Sequence, residues 1–176
     1  MTEEIQTSTP ESQDYETSAT PDDILEIRTW LRLLTCTTMI ERRIRTLLTS
    51  TFDTTLPRFD VMAQLEREPE GLTMGQLSRR MMVSNGNVTG LVDRLVKEGL
   101  VERIAVPGDR RANIVRLTED GLDNFGNMTP VHHAFLHDML SSIGRQDLEG
   151  LYELLGRLKR SIRAAEEAEQ AQKENA

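Results

Sequence analysis

The side chains best suited to chemistry lie between residues 73 and 118, TMGQLSRRMMVSNGNVTGLVDRLVKEGLVERIAVPGDRRANIVRLT. Ser84, Asn85, Asn87, Thr89, Arg94 and Lys97 fall on one side of a helical pattern. Its other side is Val88, Leu91, Val92 and Leu95, at the i, i+3, i+4, i+7 spacing of a core-facing stripe. Free amides at a helix N-terminus attract phosphate, and an Asn amide can pair with an adenine edge. Thr89 adds a contact to phosphate or to a thymine methyl group, and Arg94 and Lys97 are long enough to reach the phosphate backbone, where contacts position without specifying sequence. Arg110 and Arg111 follow Gly108 at a tight turn, the place from which an arginine enters a narrow, electronegative minor groove. The chemistry on offer is recognition of double-stranded DNA. The chain has no Gly-rich phosphate loop, nucleophile–base set or metal motif, so neither an enzyme nor a cofactor is expected.

A net charge of −8 is unusual for a nucleic-acid binder until its distribution is read. Glu3, Glu4, Glu11, Asp14, Glu16, Asp22, Asp23 and Glu26 occur in a stretch with no Lys or Arg, and they equal the whole net charge. Residues 72–116 hold eight basic side chains against four acids, a net of +4. From 117 onward six face eleven, a net of −5. The positive charge sits with the DNA-reading pattern. No apolar run reaches the roughly eighteen residues a membrane span needs, no secretory signal opens the chain, and one cysteine forms no internal disulfide. A cytoplasmic protein without membrane contact is expected.

Three further groups invite chemistry. Cys36 suggests an oxidation sensor, which needs an accessible, low-pKa thiolate. Its apolar neighbours Leu33, Leu34 and Ile40 favour a buried structural cysteine instead. His133 and His137, four apart, share a helix face, but zinc wants one or two more ligands, so no metal site is assigned. Arg42, Arg43 and Arg45 cluster, with Arg28 and Arg32 flanking Trp30. They form either a solvated basic face or a wall for an anionic ligand. On the second reading Trp30, Arg32, Met39, Arg42, Arg58, Phe59 and Met62 are the candidate ligand-binding residues.

The elements that position these groups follow from pattern. Residues 1–21 are polar, acidic and expected to be a disordered tail. A long helix capped by Asp22 or Asp23 runs to about Leu48. Ile24, Ile27, Leu31 and Leu34 make one apolar stripe on it; Leu33, Ile40, Ile44 and Leu47 make a second. Two apolar sides need two covers, the second most simply another subunit. Pro57 opens a helix to about Glu66, with Phe59, Met62, Ala63 and Leu65 as its packing side. Thr73 and Gln76 form a capping box for a helix over about 74–81 that buries Met74, Leu77 and Met81 or Met82. Ser84 caps the next helix, about 85–98, and Gly99 stops it. Residues 100–106 and 112–117 pair as a hairpin around PGDRR, and Thr118 caps a helix to about Leu140. A last helix, about 146–168, places Leu148, Leu151, Leu155, Leu158 and Ile162 on a coiled-coil-like seam. The fold expected is mainly α with a small β-hairpin wing. Residues 57–118 form a winged helix-turn-helix domain, 22–56 and 119–168 a helical dimerisation region, and 169–176 a disordered tail.

The run LTMGQLSRRMMVSNGNVTGLVDRLVKEGLVER, followed by PGDRRANIVRLTEDG, resembles the MarR family of winged-helix regulators, over roughly residues 24–163. The resemblance implies a homodimer whose first and last helices interleave, reading a near-palindromic site and repressing nearby genes until a small ligand or an oxidant intervenes. It implies that Asp109 orients an arginine of the wing instead of touching DNA. Some relatives sense oxidants through a cysteine of the first helix, and some sense zinc through a histidine pair like His133 and His137. WLRLLTCTTMIE, LPRFDVMAQL and VSNGNVTGLVDRL are similar to members controlling degradation of aromatic acids such as hydroxycinnamates, which can answer to coenzyme A thioesters. The effector implied is an aromatic acid or its aryl-coenzyme A thioester.

Overall fold

The computed structural model describes residues 14–18, 24–106 and 109–174, with the side chains at 17, 18, 106, 109–112 and 174 left aside. The chain divides into two compact units, one ending at Thr129 and one beginning at Pro130.

In the first unit a short 3-10 turn, Tyr15–Ser18, is ordered within the expected disordered tail because it lies against helix α1, Leu25–Phe52; residues 1–13 fall outside the described residues. Asp22 and Asp23 fall outside the described residues, and the cap position is taken by Ile24 with no side-chain hydrogen bond, not by an aspartate. The helix also runs past Leu48 to Phe52, where Asp53 turns left-handed (φ 49°) and its N–H closes onto the Leu48 carbonyl. Helix α2, Leu56–Glu66, starts with Pro57 in its first turn, where a missing N–H costs no helical bond. Ile44 and Leu48 of α1 are buried together with Leu56, Phe59, Val61, Met62 and Leu65 of α2.

A two-residue strand β1 (Leu72–Thr73) leads into α3 (Met74–Met81) and α4 (Asn85–Lys97). The hairpin is β2 (Val101–Val106) and β3 (Asp109–Leu117), and β1 pairs on the free side of β3 to give the antiparallel order β1-β3-β2. Leu72 sits opposite Val115, and Val101 opposite Leu117, all four buried. Against this sheet lie Leu77 of α3 and Val88, Val92 and Leu95 of α4, each with no exposed surface. The Phe59 ring meets Phe125 of helix α5 (Glu119–Leu140) at 5.2 Å between centroids. Gly121 admits the α5 start to the sheet, since a Cβ there would stand 1.9 Å from the Leu100 carbonyl oxygen.

The second unit contains the end of α5, from Pro130, and α6, Arg145–Glu174. Helix α6 does not stop near 168. Residues AEEAEQAQKE are strong helix formers, and the helix continues through most of the expected tail. None of the described helices is long and apolar enough to cross a membrane.

Candidate nucleic-acid interface

The interface is built around α4, and local hydrogen bonds fix both of its ends. At the entry to α3, the Thr73 hydroxyl accepts from the Gln76 N–H (3.3 Å) while the Gln76 side chain accepts from the Thr73 N–H (2.8 Å). The turn into α4 passes through Met82, left-handed at φ 55° and 91% exposed. Of the two methionines, Met81 is half-buried and Met82 is out in solvent. Buried Ser78 braces this turn: its hydroxyl donates to the Val83 carbonyl (2.6 Å) and its carbonyl accepts from the Val83 N–H (3.2 Å). The Ser84 oxygen then accepts from the Asn87 N–H, capping α4. At the far end Gly99 takes φ 74°, the Leu100 N–H reaches the Leu95 carbonyl, and the Thr118 hydroxyl donates to the Gly99 carbonyl (2.6 Å). The same oxygen accepts from the Gly121 N–H (3.0 Å), so one side chain ties the end of α4 to the start of α5.

Ser84, Asn85, Asn87, Thr89, Arg94 and Lys97 are all exposed, as a surface that reads DNA requires. Thr89 departs from expectation in part. Its hydroxyl proton is given to the Asn85 carbonyl (2.8 Å), leaving an acceptor and a methyl group, which suit a thymine methyl and not a phosphate oxygen. Asp93, an acid on the edge of this basic helix, meets the Arg103 guanidinium of β2 at 2.7 Å. That pair removes a charge that would repel phosphate and anchors the hairpin to α4. Beside α4, Pro57, Met81, Val83, Gly86, Leu91 and Arg94 line an open cleft of about 410 Å³. Asp109, Arg110 and Arg111 lie on the backbone of β3, but their side chains, with Pro107 and Gly108, fall outside the described residues.

The candidate ligand-binding residues differ in exposure. Phe59 and Met62 are core side chains, 6% and 1% exposed, because α2 turns that face inward. Arg58 forms an ion pair with Glu98, just past α4, and its buried Nε has no hydrogen-bond partner among the described residues. Trp30, Arg32, Met39 and Arg42 of α1 are exposed. Cys36 is exposed too, not buried as its apolar neighbours suggested, because no element among the described residues of this chain covers that face of α1. His133 and His137 are exposed, and the described residues contain no group of three or more His, Cys, Asp or Glu able to hold a metal. His132 is half-buried, and burial first, then the adjacent His133, lowers its pKa. Asp60 of α2 is pushed up to about 6, by burial first and then by Glu41, against the opposing pull of Arg45. Sequence reasoning missed Ser78, Arg103 and Asp60; only the Ser78 brace, five residues from its partner, left a local signal.

A sequence profile of the MarR family matches residues 52–112. The structure of a MarR family transcriptional regulator from Silicibacter pomeroyi is 33% identical, with a TM-score of 0.67, over 78% of this chain and 94% of that one. This chain belongs to the MarR family. Its relatives are transcriptional regulators and not enzymes. The regulator PecS of Dickeya dadantii is 29% identical over 59% of the chain, and the chain spans 64% of that relative's length. A mutant of Escherichia coli MarR, complexed with operator DNA, is 26% identical with a TM-score of 0.67, over 77% of this chain and 99% of that one.

Proposed function

We propose that this chain is a cytoplasmic, homodimeric repressor that binds a near-palindromic DNA operator and is released by an aromatic acid or its coenzyme A thioester. The carrying observation is the outer face of α4. From Ser84 to Lys97 every candidate DNA contact is exposed, and its one acid is neutralised by Arg103. The operator complex of the E. coli relative supports the same use of the same fold. Two copies are needed because Leu25, Trp30, Leu151, Tyr152, Leu154 and Ile162 are more than one-third exposed, a degree that apolar faces of α1 and α6 would not keep in water. An effector acts by favouring a dimer whose recognition helices no longer match successive major grooves; a few kcal/mol of differential binding suffices.

Fluorescence anisotropy of labelled DNA from upstream of the gene tests this reading. The protein is titrated first, then free hydroxycinnamates, their coenzyme A thioesters, peroxide and zinc. Salt-sensitive binding released by an acid or thioester upholds the proposal. Absence of binding at moderate salt, on that and neighbouring promoters, rejects it. Peroxide belongs in the panel because Cys36 is exposed in the single chain, which favours a redox-sensing repressor as the second reading. Release by peroxide in the wild type and not in Cys36→Ser would establish it.

A further inference from the structure

Arg28, Arg32, Thr35, Met39 and Arg42 recur along α1 at intervals of four, seven, eleven and fourteen from the first, so they form one stripe down the helix. The described turn Tyr15–Ser18 lies across part of that stripe. Glu16 Oε1 accepts from Arg32 Nε (2.7 Å) and from its Nη2. The Glu16 N–H donates to Thr35 Oγ1 (3.2 Å) and to Asp14 Oδ1 (2.9 Å). Thr35 is only 5% exposed, a low value for a polar residue in this part of α1. Arg32 holds the carboxyl of Glu16 below its usual range, and Arg28 adds to the effect.

Arg32 on this stripe thus already holds a carboxylate, that of Glu16 in the Tyr15–Ser18 turn. A guanidinium that holds one carboxylate through a fork of N–H donors holds another in the same way. The Arg32 and Glu16 side chains are 68% and 33% exposed, so water screens the pair and exchange is easy. We propose that Glu16 is a tethered occupant of a carboxylate-binding site on α1, and that a carboxylate effector enters by displacing it. This rests on the effector reading above and deepens it: Arg32 is the acid-binding group, and the arm sets how readily it is reached.

Full-length wild type, Glu16→Gln and Arg32→Gln are titrated calorimetrically with 4-hydroxycinnamate, its coenzyme A thioester and the neutral 4-hydroxycinnamamide. Hydrogen exchange over residues 14–18 is followed in parallel. If the arm is docked nine-tenths of the time, freeing the site raises apparent affinity about tenfold. The expected result is tighter carboxylate binding by Glu16→Gln, none by Arg32→Gln, and faster exchange over 14–18 in wild type on adding carboxylate but not amide. Equal binding by wild type and Glu16→Gln, with exchange unmoved by ligand, overturns this proposal and leaves the effector reading standing. No binding to wild type or Glu16→Gln overturns both.

Discussion

Arg110 is the residue on which the minor-groove reading depends. Replacing it with alanine is expected to weaken operator binding about tenfold or more and to reduce the slope of log K against log salt by about one, as for loss of one phosphate-neutralising cation. Anisotropy titrations at several salt concentrations measure both. Asp60 carries a second prediction, about stability. Its pKa of about 6 in the folded protein lies above the ordinary 3.8, so between those values the folded state binds the extra proton. Stability contributed at this site is therefore greatest below pH 4 and is lost as pH rises through 6. Asp60→Asn should melt at a higher temperature than wild type at pH 7.5 and at the same temperature at pH 4; an equal difference at both values would contradict the assignment. Individual roles are legible in the sequence where the partner is near in the chain. Thr73 with Gln76, and Ser84 with Asn87, are three residues apart, and both caps form as their spacing predicts. Phe59, Met62 and Leu65 are buried, as the apolar spacing of α2 predicts. Cys36 is not legible in this way, because burial depends on which distant element covers a helix face. On α1, Ile44 and Leu48 are buried and Cys36 is not.

Among the elements, the joint between the hairpin and α5 is the least tolerant of change. Gly121→Ala would drive a methyl group into the Leu100 carbonyl oxygen and against Leu117. A destabilisation of about 3 kcal/mol, at the upper end for overpacking, is expected, seen as a lower urea midpoint with unchanged slope. Gly126→Ala, five residues along the same helix and in open space, is the control and should be neutral or stabilising. Helix positions are legible because apolar spacing and capping residues act locally. Helix ends are less so: α1 outruns its apolar pattern to Phe52, and α6 runs to Glu174 on the intrinsic preference of Ala, Glu, Gln and Lys for helix. The third strand is invisible to pattern, since two residues, Leu72 and Thr73, show no alternation and pair only because β3 lies beside them.

For the molecule as a whole, the exposed seam of α6 makes a prediction about assembly. Leu155→Lys puts a charge among Leu151, Leu158 and Ile162. It should turn the proposed dimer into monomer by sedimentation velocity and cost about a hundredfold in affinity for a two-half-site operator, with a single half-site bound as before. A dimer that survives the change would place the interface elsewhere. One pairing described above also bears on how the reading head forms. Leu72 on β1 lies opposite Val115 on β3, and α3, α4 and β2 all fall between them in the chain. That pair and the next, Thr73 opposite Ile114, close the loop containing the helix-turn-helix, and Thr73 is both the last rung of β1 and the cap of α3. Thr73 therefore belongs to the sheet and to the helix at once, so a fragment cut before β3 would lose the pairing of β1 while keeping the local cap of α3. By pairing with both β1 and β2, strand β3 ties down the entry to the helix-turn-helix as well as its exit.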